Sequence, residues 1–187
     1  PMMRMNRRER GFTLMELMVT VVILGILTVV ATVGYNRYKI KAKSTEAVSF
    51  LANIKMKQET YFQTYGQYVD TSNSPASHSN SDFYPSFPSG ESSEDMDWEM
   101  ECPDDKTQYP GWCALGARPT GGKSSFQYVT VGWETGDAKP QQKYIKDPTR
   151  RWWYAEARGN LDGNDAIYSQ FILTSEVTEP MIFNENN

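Results

Sequence analysis

One stretch without charge constrains this chain more than any other feature. Leu17–Asn36 comprises 20 consecutive residues without an acidic or basic side chain. As an α-helix it would extend about 30 Å, the hydrocarbon thickness of a bilayer. A cleaved secretory signal has a shorter apolar core and a small-x-small cleavage site after it, and no such site follows Val33. The stretch therefore predicts a retained membrane anchor.

Basic residues lie on both sides of this stretch, so the positive-inside rule does not orient it. They are Arg4, Arg7, Arg8 and Arg10 before it, and Arg37, Lys39, Lys41 and Lys43 after it. Removing Pro1–Gly11, which holds four arginines and one glutamate, changes the formal net charge from −4 to −7. The remainder is acidic and lacks the basic excess of a nucleic-acid-binding protein.

A helical pattern continues beyond the apolar stretch. Apolar residues recur on roughly one helical face, at Ala47, Phe50, Leu51, Ile54, Tyr61, Phe62 and Tyr65. No proline interrupts the chain between Pro1 and Pro75, and Gly66 is placed to cap a helix end. One helix from about Phe12 to Tyr65 is predicted. Two separate helices are the alternative, because Gly25 and Gly34 lower helix propensity.

The rest of the chain predicts a polar loop followed by a sheet. The segment 70–97 holds nine serines and three prolines, which favours a long solvated loop. Three later segments are rich in aromatic and β-branched residues and are predicted strands: Phe126–Trp133, Arg151–Gly159 and Ala166–Ser175. Gly and Pro clusters separate them, as antiparallel connections require. The five tryptophans are interpreted as packing residues of this sheet, Trp98, Trp112, Trp133, Trp152 and Trp153.

The titratable residues do not suggest an enzyme or a metal centre. His78 is the sole histidine, so with two cysteines a usual zinc site has too few ligands. A catalytic triad would need His78 rigidly held, and no periodic segment positions it. No cofactor is predicted. "GNLDGNDA" (Gly159–Ala166) resembles half of a calcium loop, but a hairpin turn at Asp162-Gly163 explains the same residues. Whether Asp162–Asp165 binds calcium stays open.

Cys102 and Cys113 bracket a segment in which Pro110-Gly111 favours a turn. A disulfide between them is predicted if this part of the chain is exported, since the bond requires an oxidising compartment. Two free buried thiols are the alternative. No CxxC motif is present, which argues against a redox catalyst.

The N-terminal region resembles the type IV pilins and the related secretion pseudopilins, which share a class III signal peptide. "RRERGFTLMELMVTVVILGIL" has a short basic leader, then Gly, Phe and Thr-Leu-x-Glu-Leu before an apolar run. The similarity is dense over Arg7–Tyr35 and weaker over Asn36–Tyr68. The family implies an α+β fold, with a long N-terminal helix whose first half spans the membrane, packed on a small antiparallel sheet. It implies three parts: a cleaved leader (1–11), the helix (12–66) and a globular sheet domain (67–187).

The resemblance also implies roles for individual residues. Prepilin peptidase would cleave after Gly11, and the new terminus, Phe12, would be N-methylated. The leader would lie in the cytoplasm and both cysteines outside. Many pilins have a proline near the end of the apolar run, where this chain has Val33-Gly34. The family's helix loosens between that point and a mid-run glycine, which here is Gly25, so Gly25 and Gly34 are expected to give flexibility.

Glu16 stands out because no other charge follows it until Arg37. A carboxylate in hydrocarbon is costly unless it is paired. After cleavage, Glu16 of one subunit would neutralise the Phe12 amine of its neighbour in a filament. The alternative is that Glu16 only marks the lipid–water boundary.

The function implied is a structural, non-enzymatic subunit of a type IV pilus, with a minor pilin slightly favoured over a major pilin. Such a fibre serves adhesion or twitching motility. The alternatives are a pseudopilin of a type II secretion system and a membrane-anchored periplasmic binding module or enzyme. The expected partners are other pilin subunits, prepilin peptidase, the inner-membrane assembly machinery and the membrane itself. The chain would lie in the inner membrane before assembly and in a surface pilus afterwards.

Overall fold

The computed structural model describes residues 11–74, 76–86, 96–100, 102, 110–133, 145–161 and 168–184, except the side chains of Val33 and Asn36. The chain divides into two compact units, Pro1–Lys39 and Ile40–Asn187. The first helix, α1, runs without a break over Leu14–Tyr65, so the prediction of one helix is confirmed. It ends at Gly66, whose φ of 73° places it in the left-handed region that favours glycine. The Gly66 amide donates to the Phe62 carbonyl at 2.8 Å and closes the last turn.

The second unit is built on a four-stranded antiparallel sheet with strand order β3-β4-β5-β6. Its strands are β3 (Gln127–Gly132), β4 (Trp153–Gly159), β5 (Ser169–Thr174) and β6 (Met181–Phe183). The first three lie within the segments predicted from sequence, and the α+β fold is confirmed. β6, a two-stranded pair of β1 (Met96–Asp97) and β2 (Lys123–Ser124), and a short helix α2 (Pro110–Leu115) were not predicted.

One face of the sheet packs against the second half of α1. Side chains of a strand alternate between the two faces, so Trp153, Ala155 and Ala157 of β4 point to the same side. They share one apolar cluster with the α1 residues Ala47, Phe50, Leu51 and Ile54. Trp98 and Trp112 belong to this cluster too, and Trp152 and Trp133 pack on the other face of the sheet, so the packing interpretation of the tryptophans is confirmed.

The other face of the sheet is covered by residues 70–74 and 76–86, here called the strap. Ala76 and Phe83 of the strap form a second apolar cluster with Ile145 and with the sheet residues Val129, Val131, Trp152 and Tyr154. The strap also follows the edge of β3, where Tyr84 and Tyr128 exchange two backbone hydrogen bonds of 2.9 and 2.7 Å. The interpretation of this part of segment 70–97 as a solvated loop is therefore wrong. Residues 87–95 of that loop lie outside the described residues.

Candidate functional site

The first turn of α1 is capped by Thr13. The Glu16 amide donates to the Thr13 hydroxyl oxygen at 3.3 Å, and the Leu17 amide donates to the Thr13 carbonyl at 3.2 Å. The Thr-x-x-Glu spacing of Thr13 and Glu16 is that of a capping box, in which the glutamate is the third helical residue. Helix N-termini carry partial positive charge, so the helix itself favours a carboxylate at this position. Sequence reasoning missed this local role, although "TLME" carries its signal.

The apolar surface of α1 is uncovered in the isolated chain. Phe12 is 72% exposed and Leu14 is 85% exposed, and the large apolar side chains from Met15 to Val30 are exposed as well. Exposed apolar surface of this extent marks an interface or a membrane-embedded segment. Within the described part of the chain, α1 is the one helix whose length and composition suit a membrane span.

Three threonines in this apolar segment satisfy their hydroxyl groups inside the helix. Thr20 donates to the Leu17 carbonyl at 2.8 Å, and Thr28 donates to the Leu24 carbonyl at 2.7 Å. The Thr32 hydroxyl donates to the Thr28 carbonyl in the same way. Because an unpaired hydroxyl in hydrocarbon costs free energy, these bonds adapt the segment to an apolar environment.

Gly25 and Gly34 lie inside the unbroken helix and have open space around them. An added Cβ atom would meet no heavy atom within 4 Å at either position. Packing within the isolated chain therefore does not require glycine there. The flexibility predicted for these residues in the assembled state stays a prediction.

The proposed processing site lies just before α1. Gly11 and Phe12 are exposed and precede the first helical residue, Leu14, and a Cβ atom on Gly11 would meet nothing within 4 Å. A peptidase could approach this bond without unfolding a described element. Most of the predicted basic leader, residues 1–10, lies outside the described residues.

Polar side chains of α1 hold its second half on the sheet. Gln58 is fully buried, and its Nε2 donates to the Val69 carbonyl at 2.8 Å and to the Thr130 hydroxyl at 2.9 Å. Its Oε1 accepts from the Val69 amide at 2.9 Å. Glu59 accepts from the Trp153 indole at 3.0 Å. Gln58 is polar and lies among charged and polar residues in the sequence, so the helical pattern of apolar residues does not predict that it is buried.

Cys102 and Cys113 form a disulfide, with their Cα atoms 5.5 Å apart. Cys113 lies in α2, next to Trp112, which is buried in the apolar cluster between α1 and the sheet. The bond therefore ties α2 to the chain that follows β1, and the alternative of two free thiols is wrong.

A cluster of titratable side chains lies where the strap covers β4. His78 lies in the strap, and its Nε2 is 3.5 Å from the Glu156 carboxylate of β4. Burial raises the pKa of Glu156 to about 7, and the neighbouring Arg158 partly opposes this shift. Burial also lowers the pKa of His78. His78 is thus held in place, which sequence reasoning did not anticipate.

Arg158 and Asp82 complete this cluster. The Arg158 guanidinium lies 3.8 Å from the centroid of the Phe83 ring and donates to the Asn80 side chain at 2.7 Å. Burial alone would raise the pKa of Asp82, but hydrogen bonds from Ser79 and Asn73 outweigh it and lower the value. The arrangement fastens the strap to the sheet.

No group of three His, Cys, Asp or Glu side chains that could hold a metal ion occurs among the described residues. Asn160 is buried near the start of the calcium-like segment Gly159–Ala166. Asp162–Asp165 themselves lie outside the described residues, so the choice between turn and calcium site stays open.

The comparisons with known proteins cover part of the chain, and the family match lies at its N-terminal end. Residues 6–32 match the family model described as the prokaryotic N-terminal methylation motif. Residues 6–32 thus carry this N-terminal methylation motif. The curated relatives of this pilin-type segment are named as pilins, fimbrial proteins and a secretion-system core protein, which are structural names and not those of enzymes.

Three relatives show the extent of the similarity. The type IV major pilin protein PilA of Myxococcus xanthus is 37% identical over 70 residues, 37% of this chain and 32% of that protein. A fimbrial protein of Neisseria meningitidis is 33% identical over 78 residues, 42% of this chain and 46% of that protein. The type II secretion system core protein G of Dickeya chrysanthemi is 37% identical over 67 residues, 36% and 44% of the two chains. The chain thus covers less than half of each of these relatives.

Proposed function

We propose that this chain is a structural subunit of a type IV pilus that assembles through α1. The observation that carries the proposal is the exposed apolar helix that begins with a pilin-type segment and has Glu16 in its first turn. Such a surface cannot stay in water, because it would expose many large apolar side chains at once. A membrane covers it before assembly, and neighbouring subunits cover it in the fibre.

Processing precedes assembly in this proposal. Prepilin peptidase cleaves between Gly11 and Phe12, and the new amine of Phe12 is methylated. Glu16 of one subunit then pairs with the Phe12 amine of the next, which removes the cost of a lone carboxylate among apolar side chains. The inner-membrane assembly machinery extracts the subunit, and Cys102 and Cys113 lie outside the cytoplasm.

Mass spectrometry of the native N-terminus tests the processing step. We expect a chain that begins with methylated Phe12. A mature protein that still carries Arg7, Arg8 and Arg10 would overturn the proposal. Gly11→Val should block cleavage without disturbing the fold, because the structure leaves open space at this position.

Within the pilus we favour a minor pilin over a major one. Val33-Gly34 stands where many pilins have a proline, and this difference suits a subunit that primes assembly or lies near the tip. The second candidate is a pseudopilin of a type II secretion system, which the similarity to the Dickeya core protein G favours. Fibres sheared from the cell surface separate these functions. A minor pilin is present there in small amount, a major pilin dominates, and a pseudopilin is absent.

A further inference from the structure

A band of exposed aromatic and basic side chains lies at the end of the apolar segment of α1. Tyr35 is 67% exposed and Tyr38 is 72% exposed, and Arg37 and Lys39 are exposed as well. These four residues, here called the collar, lie within the first unit of the chain. Arg37 and Lys39 form no hydrogen bond or ion pair with another described residue, in contrast to Lys55, which donates to the Val177 carbonyl.

The collar spreads its side chains over about half of the helix circumference. Successive residues of an α-helix are rotated by about 100°, so Arg37 and Lys39 point in directions about 200° apart. Tyr35 and Tyr38 lie between these directions on the same side of the helix. A narrow contact on a protein partner would reach one of the two charges, whereas headgroups that surround the helix can contact all four residues at once.

The position of the collar along the helix indicates what that environment is. Tyr35 and Lys39 are separated by about 6 Å along the axis at the standard helical rise. The polar headgroup layer on each side of a bilayer is about 5–7 Å thick, so the collar fits within it. Tyrosine side chains concentrate at this level in membrane proteins, and basic side chains extend toward headgroup phosphates.

We propose that the collar binds anionic phospholipid headgroups in the leaflet where the apolar segment ends. The inference rests on the proposed function, because it requires Leu17–Asn36 to span a membrane. Charge complementarity supports it, since Arg37 and Lys39 are positive and the collar contains no acidic residue. The collar would hold the subunit at a defined depth until extraction, when those headgroups are left behind.

Retention of lipid by the full chain tests the proposal. The chain is incorporated into nanodiscs of equimolar phosphatidylcholine and phosphatidylglycerol, extracted in mild detergent, and examined by native mass spectrometry for bound lipid. We expect phosphatidylglycerol to be retained in preference to phosphatidylcholine. A double variant with Arg37→Gln and Lys39→Gln should show this preference reduced about tenfold. Its preference should also depend less on salt concentration.

A matched pair of substitutions controls for total charge. Lys123→Gln with Lys146→Gln removes two positive charges from exposed positions of the second unit and should leave the preference unchanged. Equal retention of phosphatidylglycerol by the collar variant and the wild type would overturn the proposal. Crosslinking between two copies of the chain that depends on Arg37 and Lys39, without any preference for phosphatidylglycerol, would also overturn the proposal. Failure of the chain to enter nanodiscs would overturn the proposed membrane anchor and the collar together.

Discussion

The Nδ1 atom of His78 lies 2.8 Å from the hydroxyl oxygen of Tyr154 and joins the strap to β4. The opposite ring nitrogen faces Glu156, so one imidazole bridges a phenol and a carboxylate on the same strand. Asp82 of the strap and Arg158 of β4 also act on the pKa of His78, which Asp82 raises and Arg158 lowers. The stability of the second unit therefore depends on how protons are distributed in this cluster.

We expect stability to fall as the pH rises through about 7. The folded-state pKa of Glu156 is raised to about 7 from an ordinary value near 4.5. Its contribution is therefore fully present below pH 4.5 and is lost as the pH rises through 7. His78 acts oppositely, since its lowered pKa favours the folded state above pH 6.5 and costs stability as the pH falls below that value. Between about pH 6.5 and 8, the loss from Glu156 dominates and amounts to about 1 kcal/mol, the remainder of a total of about 3 kcal/mol that is lost from pH 4.5 upward.

Thermal unfolding between pH 6.5 and 8 checks this expectation. Glu156→Gln is neutral at every pH, so it should remove most of the decline and raise the stability at pH 8. Glu99→Gln changes an exposed carboxylate and should retain the decline of the wild type. Identical pH profiles of Glu156→Gln and wild type would contradict the assignment.

Gln58→Leu should destabilise the second unit by about 3 kcal/mol. The leucine would leave the Val69 amide, the Val69 carbonyl and the Thr130 hydroxyl without the hydrogen bonds that Gln58 supplies, and buried unpaired groups are costly. Gln63→Leu alters an exposed position of the same helix and should cost less than about 0.5 kcal/mol. Chemical denaturation of the two variants measures the difference. A similar loss in both would show that the buried network adds no stability.

Replacing both Cys102 and Cys113 by serine should lower the free energy of unfolding by about 2–3 kcal/mol, because a short loop is released in the unfolded chain. Protein recovered from outside the cytoplasm and denatured without reductant should show no reactive thiol. Labelling of two thiols per chain in that material would refute the bond.

Glu16→Ala should leave the protein inserted and cleaved but poorly able to enter a filament. It removes the partner of a neighbouring Phe12 amine, and breaking one side of a buried ion pair costs about 3–5 kcal/mol. Glu16→Gln is the matched control, since glutamine also serves in a capping box with Thr13 but carries no charge. The measurement is the ratio of protein in sheared fibres to protein in the membrane. Failure of both variants supports charge pairing, whereas recovery with glutamine would assign Glu16 a capping role.

Gly25→Ala should strengthen the isolated helix by about 1 kcal/mol, because alanine has higher helix propensity and the site has room for its methyl group. If the helix must loosen here in the fibre, the same change should reduce assembly. Ala31→Gly makes the opposite change in the same segment and should not reduce it. Filament incorporation equal to wild type for Gly25→Ala, together with unbroken density through Val33, would contradict the predicted flexibility.

The sequence predicts those helices and strands in which apolar residues recur at regular intervals. The apolar stretch and the face of Phe50 and Ile54 predict α1 nearly to its last residue, and alternation predicts β3, β4 and β5. The strap was missed because its buried Ala76 and Phe83 stand among serines without any period. β6 was missed because three residues are too few for an alternation to show.

The cluster around His78 could not be predicted for a related reason. It joins residues that are 76 to 78 positions apart in the sequence, and only the pairing of a non-repetitive segment with a strand brings them together. Glu16 could be singled out from the sequence, because its motif neighbours are adjacent along the chain and because it is a charged residue in an apolar run. The partner that it would neutralise belongs to another copy of the chain, which local pattern alone does not reveal.

The coverage of both sheet faces, by α1 on one side and the strap on the other, determines how the protein behaves in water. Among the described residues from Ile40 onward, the large apolar side chains that stay exposed are Met56, Tyr65 and Ile182. Nearly all the other exposed large apolar side chains of the described residues lie within Phe12–Val30. One segment therefore holds most of the exposed apolar surface of the described residues. A chain begun at Ile40 should dissolve without detergent, whereas the whole chain should need a micelle, a bilayer or its own neighbours.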